Sequence, residues 1–172
     1  MTFAISLAAS HEADAIAKVH VQGWQETYRG IFPDEFLDSC DQKERAKKWR
    51  TSLGNSDQGQ KTFLAKLDEK IVGFIDFGPV LHKNSAENCF GEIYALYLLR
   101  AFQGKGIGKA LFEKAIDTLS QENLTPIQII CHTKNIRAKE FYKRRGAYFL
   151  KHTTSIIAGK NHVEDVFVFG KI

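Results

Sequence analysis

Apolar positions along the chain switch between the spacing of a helix and that of a strand, and the switches mark out the elements. Thr2 to Leu7 alternates small or polar with apolar residues and predicts a short strand. Ser10 is placed to cap a helix running to about Tyr28, with Ala13, Ile16, Ala17, His20 and Trp24 along one face. Gly30 and Pro33 interrupt that pattern, Asp34 stands at a capping position, and a second helical stretch carries Phe36, Leu37, Ala46 and Trp49 up to a loop from Gly54 to Gly59. The period then shortens. Lys61 to Leu67 and Ile71 to Val80 read as strands joined by the turn Asp68-Glu69-Lys70, an antiparallel hairpin, and a polar loop follows from His82 to Asn88.

Phe90 to Leu99 is almost wholly apolar and aromatic, which predicts a central strand buried on both faces with Glu92 as the exception inside it. Gly104 to Gly108 opens a helix whose Ile107, Leu111, Phe112, Ala115, Ile116 and Leu119 recur at helical spacing. A strand through Ile127, Ile129 and Ile130 follows Pro126. Asn135 is placed to cap a last helix bearing Ala138, Phe141 and Tyr142, and Gly146 stands where a glycine ends a helix. Tyr148 to Ile156 and Val163 to Phe169 read as closing strands around Gly159-Lys160-Asn161. The order β-α-α-β-β-β-α-β-α-β-β predicts an α/β (α+β) fold with a mixed sheet of about seven strands flanked by about four helices. No repeat or linker divides it, so residues 1–172 are expected to form a single domain.

Composition narrows the function classes. With 172 residues, 44% apolar and 26% charged, the chain has material for one sizeable core. Its longest apolar run, Ile93 to Leu99, falls far short of the roughly twenty residues of a membrane span, so no membrane partner is expected. No Lys or Arg precedes Lys18, which argues against a secretory signal and for the cytoplasm. Cys40, Cys89 and Cys131 form no Cys-x-x-Cys pair, and the six histidines show no His-x-x-x-His spacing; neither disulfides nor a metal is expected. A net charge of +4 is too small to predict nucleic-acid binding. Its distribution is uneven, because Lys134, Arg137, Lys139, Lys143, Arg144 and Arg145 cluster in sequence, and Lys105 and Lys109 lie in the Gly-rich segment. Such a cluster suits either a solvated helix face or a local anionic ligand.

The segment Gln103-Gly104-Lys105-Gly106-Ile107-Gly108-Lys109 lies between a strand and an amphipathic helix, where main-chain N–H groups are available to phosphate oxygens. It is not a Walker A loop, which needs Gly at 103 and Ser or Thr at 110, where this chain has Gln103 and Ala110. It is not a dinucleotide fingerprint either, because Lys109 occupies the position of the third small residue.

Gln103-x-x-Gly106-x-Gly108 after Ala95-Leu96-Tyr97-Leu98-Leu99, followed by Asn135-x-x-Ala138-x-x-Phe141-Tyr142-x-x-x-Gly146-Ala147, resembles the GNAT superfamily of acetyl-CoA-dependent N-acetyltransferases. The resemblance runs from about Phe90 to Tyr148 and implies a GNAT-type fold with acetyl-CoA as cosubstrate and no metal. It implies that Gln103, Gly104, Lys105, Gly106, Ile107, Gly108 and Lys109 hold the pyrophosphate, that Leu96, Tyr97 and Leu98 lend main-chain groups to the pantetheine arm, and that Asn135 and Tyr142 face the coenzyme. Glycines suit that loop because no Cβ stands between ligand and chain. A frequent assembly of the family is a homodimer.

By the same resemblance the amine attacks the thioester directly, the N–H of Leu98 polarises the carbonyl, and Tyr142 protonates the departing sulfur. Glu92, six residues before Leu98, takes the place of a glutamate that accepts the amine proton in the histone-acetylating branch, directly or through water; a structural pairing is the other reading. Another family pattern puts a glutamate five residues before the motif asparagine, where this chain has Ile130, which argues against peptide-terminal acetylation of that type. The helix with His20, Trp24 and Tyr28 at i, i+4 resembles a small-amine subgroup, and with Glu92 these aromatics are candidates to bind the acceptor or to serve the core. The implied activity is acetyl transfer to the primary amine of a small molecule. A protein or peptide amine, or a non-catalytic CoA-binding regulatory module, is the alternative.

Overall fold

The computed structural model of the protein describes residues 2–54, 59–81 and 86–171. Among them are strands β1 (Ala4–Leu7), β2 (Lys61–Leu67), β3 (Lys70–Pro79), β4 (Gly91–Leu98), β5 (Ile127–His132), β6 (Tyr148–Ile157) and β7 (Lys160–Phe169), with helices α1 (Ala13–Tyr28), α2 (Asp34–Asp38), α3 (Gln42–Gly54), α4 (Ile107–Gln121) and α5 (Ile136–Arg144). The strands form one mixed sheet in the order β1-β2-β3-β4-β5-β7-β6. β4 and β5 are parallel, as a strand-helix-strand crossover requires, while β1 with β2, β2 with β3, β5 with β7 and β6 with β7 are antiparallel. The residues group into two compact units, Met1–Phe77 with Ala95–Thr118 and Gly78–Tyr94 with Leu119–Ile172.

In the first unit the apolar face of α1 delivers Ala13, Ile16, Ala17 and Val19 to a core shared with Ala46 and Trp49 of α3 and Leu64, Ile71 and Phe74 of the sheet. The expected hairpin is present. Its turn residues Asp68 and Glu69 both have positive φ, 47° and 62°, the handedness that matches the twist of the paired strands. In α4, Ile107, Leu111, Phe112 and Ala115 are buried as their spacing predicts. Ser10, however, does not cap α1. Ser10–Glu12 is a 3-10 turn closed by the Glu12 carboxylate, which accepts the Ala9 N–H at 2.9 Å, and the helix begins at Ala13. The second helical stretch is two helices. Asp34 is the first residue of α2 behind Pro33 rather than its cap, and Asp41 starts α3 by accepting the N–H groups of Lys43 and Glu44 at 2.6 and 3.0 Å.

In the second unit β4 pairs with β5 over Gly91↔Ile127 to Ile93↔Ile129. The first three residues of β4 are buried, whereas Tyr94 to Leu98 are only half-buried and Phe90 is exposed, so the apolar run is not covered on both faces throughout. The closing hairpin turns at Ala158 and Gly159, both at positive φ, which lets Lys160 pair with Ile157 and starts β7 earlier than the apolar pattern suggests. Asn55–Gln58 and His82–Ser85, within two loops expected from the sequence, lie outside the described residues.

Two titratable groups of the first unit oppose each other. Burial, with Arg45 nearby, pulls the His20 imidazole down to about 3 from its ordinary 6.5. Burial also lifts Asp76 to about 6 from 3.8, although its carboxylate accepts from Thr62 Oγ1 and Gln60 Nε2, each at 2.8 Å. As pH falls below 6.5 the unfolded chain protonates its histidine while the native one does not, so His20 costs stability on acidification down to about 3. Asp76 acts with the opposite sign, because the native state holds its proton up to about 6, and its contribution is lost as pH rises from 3.8. Between about pH 4 and 6 the two slopes, each up to about 1.4 kcal/mol per pH unit, offset one another. Denaturant titrations should therefore show Asp76→Asn losing stability more steeply than wild type on acidification over this window, and His20→Gln gaining it. Identical pH slopes in the two variants would contradict the assignment.

Candidate active site

The half-buried end of β4 leads directly into the Gly-rich loop. Leu99 N–H donates to Val72 O at 3.0 Å, Phe102 N–H to Leu99 O at 2.9 Å, and Gln103 Nε2 reaches back to Leu98 O at 2.6 Å. The Gln103 side-chain nitrogen thus ties the loop to the strand. Gly104 and Gly106 have φ of 77° and 82°, and a Cβ on either would meet nothing within 4 Å. The first helical hydrogen bond of α4 runs from Ala110 N–H to Gly106 O at 3.0 Å, so the N–H groups of Ile107, Gly108 and Lys109 emerge at the helix N-terminus without helical acceptors. An open, left-handed loop beside those donors fits a pyrophosphate. Lys105 Nζ bonds Ala101 O at 3.0 Å and lies over the Phe102 ring, while Lys109 stands 3.7 Å from Glu113, so both predicted cations are at the loop and partly engaged.

Farther along α1, Trp24 and Tyr28 join Phe32 in a stack, with ring centroids 4.5 to 5.6 Å apart. Phe32 was not apparent from helical spacing because it lies beyond the end of α1; its N–H bonds Tyr28 O at 3.0 Å and folds it back. Trp24 Nε1 is buried with no partner among the described residues. Both candidate acceptor aromatics therefore lie in one cluster.

In the second unit Glu92 is 1% exposed. Its Oε2 accepts the Leu81 N–H at 2.9 Å and Gln128 Nε2 at 3.0 Å, and Gln128 is its partner in the β4–β5 register. Asn135 caps α5 as its position predicts, with Oδ1 accepting the Ala138 N–H at 3.2 Å. Tyr142 is buried, edge-on to Phe141 and near Phe167. Its carbonyl accepts the Ala147 N–H at 3.1 Å while Gly146 N–H bonds Lys143 O at 3.0 Å, the paired bonds of a Schellman ending, with Gly146 at φ 94°. The main chain at Tyr142 is thereby fixed.

Much of the basic cluster is already engaged. Lys139 Nζ lies 2.6 Å from the buried Asp165 carboxylate, Lys143 pairs with Glu140 at 3.4 Å, and Arg145 stacks over Phe141. One arrangement had no sequence signal, since its histidines lie far apart along the chain: His132 Nε2 is 3.2 Å from His162 Nδ1, and His132 Nδ1 accepts the Lys134 N–H at 3.1 Å. Burial lowers the His132 pKa. Among the described residues no group of three or more His, Cys, Asp or Glu is placed to hold a metal, and no helix is long and apolar enough to cross a membrane.

Comparison with known proteins bears on the fold and the family. A Bacillus subtilis protein described as the uncharacterized N-acetyltransferase YuaI is 38% identical over 112 residues, 64% of this chain and 60% of that relative, so the match spans less than two thirds of its length. The spermidine N(1)-acetyltransferase of Thermoplasma acidophilum is 23% identical over 149 residues, covering 85% of this chain and 88% of that one. The fold superposes on the PaiA N-acetyltransferase of Thermoplasma acidophilum, solved in complex with coenzyme A, with a TM-score of 0.74 at 20% identity over 96% of this chain and 98% of that one. The model of the acetyltransferase (GNAT) family matches residues 21–147, which include the Gly-rich loop, Glu92, Asn135 and Tyr142, and the chain is a member of the GNAT acetyltransferase family.

Proposed function

We propose that the protein moves the acetyl group of acetyl-CoA onto the primary amine of a small molecule by direct attack. The observation that carries this reading is the open loop of Gly104 and Gly106 at the start of α4, immediately after β4. Its glycines let main-chain donors approach a pyrophosphate, and the N-terminal partial charge of α4 adds to the attraction. The Leu98 N–H polarises the thioester carbonyl. The neutral amine then forms its bond to the carbonyl carbon, the carbon–sulfur bond breaks, Glu92 takes the amine proton, and Tyr142 gives one to the thiolate. For Glu92, support comes from its burial and its position in the motif, and the two donors on Oε2 hold one oxygen in place. For Tyr142, support comes from the Schellman ending that fixes its main chain.

A small acceptor is favoured by the relative named for spermidine and by the half-buried Trp24 ring, which suits the alkyl chain or charge of a small amine; Tyr28 and Phe32 beside it are buried and serve the core. Free Cys40, Cys89 and Cys131 and an acetyl-CoA donor accord with action in the cytoplasm.

Thiol release from acetyl-CoA over a panel of polyamines, aminoglycosides, amino acids and peptide N-termini tests the reading. Turnover on a small amine is the expected result; turnover on peptides alone would assign a protein acceptor, and binding without release would make the chain a coenzyme-responsive module. Acetyl-CoA at a hundredfold excess over Kd should stabilise the wild type by about 2.7 kcal/mol. Gly106→Val should abolish that stabilisation, since a branched side chain would fill the space now open at φ 82°; an unchanged Kd in the folded variant would place the pyrophosphate elsewhere.

On the accepted amine, Glu92→Gln should lower kcat by about 10² to 10⁴ with acetyl-CoA affinity retained and partial recovery at high pH. Tyr142→Phe should lower kcat roughly tenfold to a thousandfold while losing only about 0.5 to 1.5 kcal/mol of stability. Wild-type kcat in either variant would return that residue to a structural role.

A further inference from the structure

Position 23 is a glycine in the middle of α1, buried, where alanine would make the better helix. The reason is space. A Cβ there would stand 3.1 Å from Cδ1 and 3.2 Å from Cβ of Tyr97 in β4, inside ordinary carbon contact. One turn earlier the His20 ring stacks on the same tyrosine, with centroids 5.1 Å apart and planes 29° apart, and Trp49 Nε1 donates to His20 Nδ1 at 3.2 Å. That bond leaves neutral His20 with its proton on Nε2 and locks the ring. One turn later Glu26 Oε2 accepts the Arg100 N–H at 2.8 Å, and the Glu26 carbonyl accepts Arg100 Nη2 at 2.7 Å.

Residues 20, 23 and 26 follow one another at three-residue spacing along the helix, and each of them meets Tyr97 or Arg100. On the β3 side the backbone of Gly73 approaches the same segment closely, since a Cβ there would lie 2.8 Å from the Tyr97 carbonyl oxygen and 2.7 Å from a Leu98 methyl.

We infer that the His20–Gly23–Glu26 edge of α1 is a positioning surface for the coenzyme-binding strand, holding Tyr97 to Arg100 where the Leu98 amide and the loop beyond Gln103 can engage acetyl-CoA. This rests on the coenzyme reading given above. In this role the residues act through β4, so their substitution changes donor affinity with the fold intact. The helix that carries Trp24 and Tyr28 thus also sets the donor strand, and a change on one edge of α1 is felt on the other side of the reaction.

Calorimetric titration with acetyl-CoA, paired with thermal unfolding of the unliganded protein, separates this role from general stability. Gly23→Ala gains helix propensity but sets a Cβ 3.1 Å from Tyr97, so a purely structural glycine would show its effect in the unfolding midpoint alone, with an unchanged Kd. The positioning role instead requires Kd to rise roughly tenfold with cooperative unfolding retained. Glu26→Ala, which removes an exposed polar contact and opens no core cavity, should raise Kd about threefold, and it decides the matter alone if Gly23→Ala does not fold. Gly54→Ala, at the end of α3 with nothing within 4 Å of the added Cβ, should leave Kd unchanged. Wild-type Kd in the folded Gly23→Ala and Glu26→Ala proteins would overturn the inference; a wild-type protein that binds no acetyl-CoA would overturn the coenzyme reading and this role with it.

Discussion

The close approach of β3 to β4 at Gly73 is the constraint from which the donor side of this protein follows. A Cβ at that position would lie 2.7 Å from a Leu98 methyl and 2.8 Å from the Tyr97 carbonyl oxygen, distances that no side chain survives without moving the strand. Because residue 73 has none, β4 comes close enough for Leu99 N–H to bond Val72 O, and the chain then turns through Leu99 and Phe102 into the loop. Gln103 closes this arrangement by donating to the Leu98 carbonyl. These contacts set the main chain around Leu98, which is the preorganisation that the role proposed for its N–H requires.

A similar economy governs the second unit. Glu92 is buried, and one of its carboxylate oxygens accepts a main-chain N–H and an amide side chain, so the side chain is held at a defined place in the strand. Asn135 and Gly146 begin and end α5 by standard capping chemistry, so a helix of only nine residues holds Tyr142 at a defined place.

Much of this was legible in the sequence because it depends on local rules. Helical spacing from Ile107 to Ala115, the Asn135 cap and the Gly146 stop all stand where the pattern puts them, and the motif from Gln103 to Gly108 lies on an open glycine loop. What escaped depends on contacts between distant residues. Ser10 looked like a cap, but Glu12 closes the turn and is itself held by Lys66 of β2, a strand far away in sequence. Asp41 carries no separate signal because the helical spacing from Phe36 to Trp49 runs across it, and Phe32 meets Trp24 and Tyr28 only where the chain folds back. The closing hairpin turns earlier than Gly159-Lys160-Asn161 suggests because Ala158 adopts positive φ together with Gly159. Gly23 carried no sequence signal beyond its poor helix propensity, since its reason is a tyrosine of another element.

The central claim is that main-chain amides of the β4 end and the Gly-rich loop receive acetyl-CoA. Hydrogen exchange resolved to single residues measures those amides directly. Addition of saturating acetyl-CoA should slow exchange at Leu98 and across Gly104 to Gly108, including the α4 N–H groups of Ile107 and Gly108 that lack helical acceptors, while the hairpin residues Asp68 and Glu69 exchange as before. Unchanged exchange at Leu98 and throughout the loop, with the coenzyme demonstrably bound, would contradict the account.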